Sequence, residues 1–176
     1  LDRSSAASDV YKRQYDDHVQ QAPRTGIPAK SLAGTLQDGD TTHMQYPTPI
    51  SQTLGIRIVE VGLGTATVEI DASPDLHGNQ QATVHGGLMC ELADAAIGTA
   101  HSTLMAEGES FASIDLKINF FRPVWATRLR ATAKPIQSGR TITHYTCEIV
   151  REDGKAAATV ISSVTVSYTH PTLPTS

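Results

Sequence analysis

Between residues 56 and 166 the apolar and polar positions alternate, and the period of the alternation changes. Two runs, 56–61 (IRIVEV) and 65–71 (TATVEID), have a period of two and are joined by Gly62-Leu63-Gly64, which reads as a hairpin turn. In the second run Ala66, Val68 and Ile70 share one face, and Thr65, Thr67, Glu69 and Asp71 share the other. That is the pattern of a half-buried strand. Residues 86–106 then read as a helix rich in Ala and Gly. Period two returns at 111–122, where Ile114, Leu116, Ile118 and Phe120 fall on one face and Ser113, Asp115, Lys117 and Asn119 on the other. Strand 126–136 sets Leu129, Ala131 and Ala133 against Arg128, Arg130 and Lys134, and strands 141–150 and 156–166 follow. Ser138-Gly139 and Asp153-Gly154 mark the turns between them. Ahead of these elements, Thr48 as N-cap, Pro49 at the first helical position and Gly55 as stop predict a short helix.

The layout is therefore strand, strand, long helix, four strands. One helix has to serve several strands, and Ala93, Ala95, Ala96, Gly98 and Ala100 are small enough for a sheet to approach on more than one side. Such residues give an exposed helix little apolar area to bury, so they suit a wrapped one. The expected fold class is α+β, an antiparallel sheet curled around one long central helix.

The pattern fades at both ends. Residues 15–47, rich in Gln, Gly, Pro and Thr, read as an extension with little regular structure, and 48–166 as the domain. Residues 1–14 (LDRSSAASDVYKRQ) and 167–176 (SYTHPTLPTS) resemble translated adapter read-through and are read as scars outside the fold. Of the 176 residues, Lys and Arg make 14 and Asp and Glu 18, a net charge of −4 with no basic run. That balance argues against binding nucleic acid through its phosphates. Two cysteines, Cys90 and Cys147, make neither a disulfide framework nor a four-cysteine zinc site, and a reducing, cytoplasmic location is expected. No run of 18 apolar residues points to a membrane span. His77, His101 and His144 show no metal-ligand spacing, and no metal or other cofactor is expected.

The candidate chemistry lies in 77–94, HGNQQATVHGGLMCELAD. His85-Gly86-Gly87 falls at a loop-to-helix junction. The first N–H groups of a helix have no intrahelical acceptor and the dipole is positive there, so this end can polarise a carbonyl and hold an oxyanion. The Gly87 N–H is the expected donor, and Gly86 lets a bulky acyl group approach the backbone. Asp94 is the expected general base or nucleophile, because an aspartate among Ala93, Ala95, Ala96 and Ile97 is costly to bury without a purpose. Glu91 is its rival, close to the same face. Asp94 lies nine positions after His85, about 900° round the helix and about 13 Å along it. Two such groups face opposite ways, so if both do chemistry a second subunit has to bring its helix alongside. Cys90 stands about 140° from His85, too far round for a Cys–His pair.

Over about residues 50–166 the chain resembles the hotdog-fold thioesterases, in particular the phenylacetate-pathway (PaaI-like) branch of acyl-CoA thioesterases. The resemblance rests on Asn79, His85-Gly86-Gly87 and Leu92-Ala93-Asp94 at the branch spacing, and on Ser-Ile-Asp-Leu-Lys-Ile-Asn-Phe at 113–120. Where the branch has glycine three residues after the Asn, this chain has Ala82. The resemblance implies hydrolysis of an acyl-CoA, with an aromatic or medium-chain acyl group, to the acid and free CoA. It implies a homodimer or a dimer of dimers, each site taking Gly87 from one chain and Asp94 from the other. It also implies that Asn79 orients water or thioester, that His85 lies at the site, and that Ser113 holds water or substrate. Read from the residues alone, Asn79 suits an Asx turn and Ser113 the polar face of a strand. Arg122, Arg128, Arg130, Lys134 and Arg140 are candidates for the CoA phosphates or for solvated strand faces. Two other functions fit the same fold: a hydratase or dehydratase, against which the His85–Asp94 geometry argues, and a non-catalytic acyl-CoA binder, against which the presence of Asp94 argues.

Overall fold

The computed structural model describes residues 25–28, 41–105 and 109–168. Residues 1–14 and most of 167–176, read above as scars, lie outside the described residues, although the last strand continues to Tyr168. Within the segment expected to carry little regular structure, β1 (Thr25–Pro28) pairs antiparallel with β2 (Thr41–Tyr46). Helix α1 (Pro49–Leu54) forms as its caps dictate. The Thr48 hydroxyl accepts the Ser51 N–H, Pro49 opens the helix, and Gly55 closes it in the left-handed conformation at φ 77°.

Six strands make one antiparallel sheet: β3 (Arg57–Gly62), β4 (Thr65–Ala72), β5 (Glu109–Phe120), β6 (Thr127–Ser138), β7 (Ile142–Arg151) and β8 (Ala156–Tyr168). Their order is β3-β4-β6-β7-β8-β5, so β5 is an edge strand although it follows the central helix directly. A one-turn helix, α2 (Pro74–His77), precedes the loop into α3 (Gly86–Ser102). Helix α3 lies across the sheet and touches all six strands. Leu92, Ala93, Ala96, Ile97 and Ala100 on its inner side have no exposed surface. They pack against Val68, Ile70, Leu129, Ala131, Ile149, Ala158 and Val160, all buried. The small residues do what their size suggests. A Cβ on Gly86 would meet the Phe120 ring at 2.9 Å, and one on Gly98 would touch Phe111 at 3.4 Å, so two glycines make room where β5 aromatics cross the helix.

The alternation expected for 111–122 does not survive intact. Ser113 pairs with Val164 and Asp115 with Ser163, which leaves Ile114 as the extra residue of a β-bulge. Before the bulge Phe111 and Ser113 face the helix; after it Leu116, Ile118 and Phe120 do. Ser113 is therefore not on the outer polar face with Lys117. A single inserted residue flips the face of a strand whose side-chain period is two. The apolar row itself is only partly covered, with Ile114 56% and Phe120 51% exposed.

Candidate active site

The bulge brings Ser113 to the helix. Its hydroxyl donates to Asp94 Oδ1 at 2.8 Å. Together they line an open groove of about 460 Å³ with Gly87, Cys90, Glu91, Ile114, Asp115 and Leu116. Gly87, Cys90, Glu91 and Asp94 follow one another at three- and four-residue steps, which is one stripe of a helix. The opposite-face argument that holds for His85 therefore does not extend to Gly87: seven residues bring the chain back to the same side. What separates Gly87 from Asp94 is distance, about 10 Å of rise along the axis.

His85 is the N-cap of α3. Its ring Nδ1 accepts the Gly87 N–H at 2.8 Å, and its backbone carbonyl accepts the Leu88 N–H at 3.1 Å. The donor expected to meet an oxyanion is thus held by the His85 ring, which is itself exposed. Asn79 does not line the groove. Its Oδ1 accepts from the N–H of Gln81 at 2.9 Å and of Thr83 at 3.3 Å, and its amide donates to the Thr83 hydroxyl at 3.0 Å. These bonds close the 79–83 loop, whose far end leads through Val84 into the cap. Inside that loop Ala82 takes φ 57°, the left-handed region that glycine enters freely. The loop keeps the glycine conformation without the glycine. Gly86 is covered by the Phe120 ring.

The groove is acidic. Glu91 is half-buried, and burial and then the Asp94 charge push its carboxyl above the ordinary range. Burial also raises the Cys90 thiol, which disfavours a reactive thiolate. Nothing in the alternating pattern marks Ile114 or Asp115 as bordering the groove, because a bulge leaves no trace in it. The other charged candidates are engaged elsewhere. Arg130 Nε reaches Glu69 Oε1 at 2.8 Å, and Arg128 and Arg57 reach Asp71 at 3.2 and 2.9 Å, all on the outer side of the sheet. Arg122 donates to the Ala156 carbonyl, and Lys134 and Arg140 are exposed. His101 is buried against Phe111 and Tyr145, and His144 meets Ser163 on the outer face. Among the described residues no cluster of His, Cys, Asp and Glu has the arrangement of a metal site, and no helix is long and apolar enough to cross a membrane.

Comparison with known proteins agrees with this architecture. Residues 81–158 match the family model described as Thioesterase superfamily. A putative esterase of Deinococcus radiodurans is 35% identical over 107 residues, covering 54% of this chain and 70% of that protein. The chain belongs to the thioesterase superfamily. A putative esterase of Haemophilus influenzae is 32% identical over 84 residues, 48% of this chain, and the match spans only 59% of that relative's length. The medium/long-chain acyl-CoA thioesterase YigI of Salmonella typhimurium is 25% identical over 137 residues, covering 70% of this chain and 86% of that one. Among solved structures, the PaaI protein from the phenylacetic acid degradation operon of E. coli superposes with a TM-score of 0.62 at 28% identity, over 67% of this chain and 83% of that one. The hotdog fold expected from the sequence is the fold observed.

Proposed function

We propose that this protein is an acyl-CoA thioesterase that hydrolyses an aromatic or medium-chain acyl thioester in the groove along α3. The observation that carries the reading is the Ser113–Asp94 hydrogen bond at 2.8 Å inside a groove that also contains the Gly87 end of the helix. Ser113 fixes the rotamer of Asp94 and leaves its second carboxylate oxygen to a water. Asp94 takes a proton from that water as the oxygen attacks the thioester carbon. The carbonyl oxygen becomes an oxyanion at the start of α3. There the Gly87 N–H, released as the exposed His85 ring swings aside, donates to it. Collapse of the intermediate breaks the C–S bond, and the thiolate of CoA leaves with the proton that Asp94 took from the water, which restores the carboxylate. Asn79 acts by shaping the loop that enters the cap.

One carbonyl cannot lie within about 3 Å of both Gly87 and Asp94 of the same helix when about 10 Å of rise separates them. We therefore assign the two groups of one site to two chains, with their helices antiparallel. Strand β5 supports this. It is an edge strand of 12 residues with Ile114 and Phe120 half-exposed, and such an edge is ordinarily paired or covered. Pairing position 87 with a partner's position 94 puts the two-fold axis between positions 90 and 91, so Glu91 of each chain lies opposite position 90 of the other, next to the axis.

The test is release of free thiol from a panel of acyl- and aryl-CoA esters, with wild type and Asp94→Asn in parallel and the molar mass measured in solution. The expected result is turnover that falls about 10²–10⁴-fold in a variant that keeps its oligomeric state. Undiminished turnover in Asp94→Asn, or a monomer with full activity, would overturn the assignment.

A further inference from the structure

Trp125 is the chain's one tryptophan, and 55% of it is exposed. It stands on the β5–β6 loop, which is held at the two residues before it. Its neighbour Val124 is fully buried and accepts the Val84 N–H at 2.8 Å, one residue before the His85 cap. One residue earlier the Pro123 carbonyl accepts from Arg151 Nη1 at 3.5 Å. An aromatic ring so anchored loses little freedom when something stacks on it. Beside it opens a cavity of about 430 Å³, walled by Trp125, Arg151, Glu152 and Asp153. The Arg151 guanidinium is fixed in place by Asp153, with Nε to Oδ1 at 3.1 Å. Arg151 and Glu152 also border a second cavity, of about 240 Å³, that contains Arg128 and Arg130.

An indole face, a fixed guanidinium and carboxylate acceptors suit a heterocyclic base with a sugar and phosphates attached. Stacking supplies the affinity, the Glu152 oxygens accept from an amino group or a ribose hydroxyl, and Arg128 and Arg130, half-exposed beyond the shared wall beside their Asp71 and Glu69 partners, face the phosphates with the part of each guanidinium left to solvent. The position fits too, since the loop that carries Trp125 is hydrogen-bonded to the residue before the His85 cap. We infer that the cavity between Trp125 and Arg151 is a subsite for a purine nucleotide, the nucleotide end of the thioester substrate, with the base stacked on the Trp125 indole. This rests on the thioesterase reading for the identity of the nucleotide, and not for the existence of the subsite.

A lone tryptophan makes the test direct. The full-length protein is titrated with free CoA, with adenosine 3′,5′-bisphosphate and with pantetheine, and tryptophan emission is followed. CoA and the bisphosphate are expected to quench it saturably, while pantetheine, which lacks the base, leaves it unchanged. In kinetics, Trp125→Ala is expected to raise KM for a hexanoyl-CoA about tenfold at unchanged kcat, with Trp125→Phe keeping most of the affinity. Neither variant is expected to change turnover of the hexanoyl thioester of N-acetylcysteamine, which has no nucleotide. Absence of saturable quenching by CoA, or equal damage to both thioesters in Trp125→Ala, would overturn the subsite. Saturable quenching in a protein that hydrolyses neither thioester would uphold the subsite and overturn the thioesterase reading instead.

Discussion

The two sides of helix α3 are built from neighbouring residues and meet opposite surroundings. On one side Leu92, Ala93, Ala96, Ile97 and Ala100 are sealed against central strands of the sheet. On the other, Gly87, Cys90, Glu91 and Asp94 open into a groove bordered by the edge strand β5. Those five inner residues carry no ionisable group. The outer side carries two carboxylates at i and i+3, a spacing that costs stability by like-charge repulsion. A helix selected only for stability would not keep that pair. The contrast separates residues whose identity packing accounts for from those to which we assign chemistry.

Substitutions that exchange the two kinds of damage test that contrast. Leu92→Ala is expected to destabilise the protein by about 2–5 kcal/mol, read by urea or thermal unfolding, because a fully buried side chain leaves a cavity. Its turnover, measured where the protein is still folded, should change little. Asp94→Asn, one helical position over from the core, should do the reverse: stability within about 1 kcal/mol of wild type and the large loss of turnover stated above. If Asp94→Asn unfolds the protein, or if Leu92→Ala is neutral, the division between the two sides is wrong.

A smaller effect isolates Ser113. Ser113→Ala removes the one side-chain hydrogen bond to the Asp94 carboxylate among the described residues. The loss of orientation is expected to lower kcat about tenfold, the equivalent of one good hydrogen bond to a charged group. Ser113→Thr, which keeps the hydroxyl, should recover most of it. Equal loss in both variants would indicate damage to the bulge rather than to the hydrogen bond.

Most of the sheet was legible because burial follows simple alternation wherever a strand has neighbours on both sides. Leu129, Ala131 and Ala133 on β6 face inward and Arg128 and Arg130 outward, as their spacing requires. Strand order was not legible, since nothing in 109–120 says that it lies at an edge and pairs with the last strand. The bulge at Ile114 was hidden for a related reason: both faces of the sequence still alternate, and only the register with β8 reveals the slip. Of the candidate residues, motif and resemblance point to Gly87, Asp94 and Ser113, and the structure gathers them into one groove. The same motif points to Asn79 and His85, and their hydrogen bonds tie them into the loop and the cap. The groove's other wall, Asp115 and Leu116, depends on three-dimensional placement alone.

His101, at the far end of the helix, gives a pH-dependent contrast with the open end. Its ring is 2% exposed, with Nδ1 3.2 Å from the Tyr145 hydroxyl and no partner for Nε2 among the described residues. Burial lowers its pKa and the Glu109 charge offsets that in part. The unfolded chain, with an ordinary histidine near pH 6.5, therefore takes up protons before the folded one does. Stability from this group is full above about pH 6.5 and falls as the pH drops below it. Glu91 has the opposite sign, because a carboxyl raised in the fold costs stability as the pH rises through the acidic range. The difference in unfolding free energy between wild type and His101→Gln, measured from pH 7.5 to 5, removes the Glu91 contribution. That difference should shrink toward acid; a difference independent of pH would mean that His101 is not held neutral.

The smallest effect belongs to the loop that feeds the cap. Ala82 sits at φ 57° where the related proteins' pattern has glycine, and its N–H donates to the Asn79 carbonyl at 3.1 Å. A left-handed Ala costs about 1–2 kcal/mol relative to the right-handed region, a cost glycine does not bear. Glycine in turn adds about 0.4–1 kcal/mol of entropy to the unfolded chain. Ala82→Gly is therefore expected to stabilise the protein by less than about 1 kcal/mol, a rise of a few degrees in Tm. Turnover should stay the same, because the Asn79 side chain already brackets the loop by hydrogen bonds to Gln81 and Thr83. Asn79→Ala supplies the converse: without those bonds the strained Ala82 conformation loses its support, so the Gly substitution should rescue more stability in the Asn79→Ala background than in wild type. Equal gains in the two backgrounds would show that the loop's shape does not depend on Asn79, and would return that side chain to the list of groups that act directly on water or thioester.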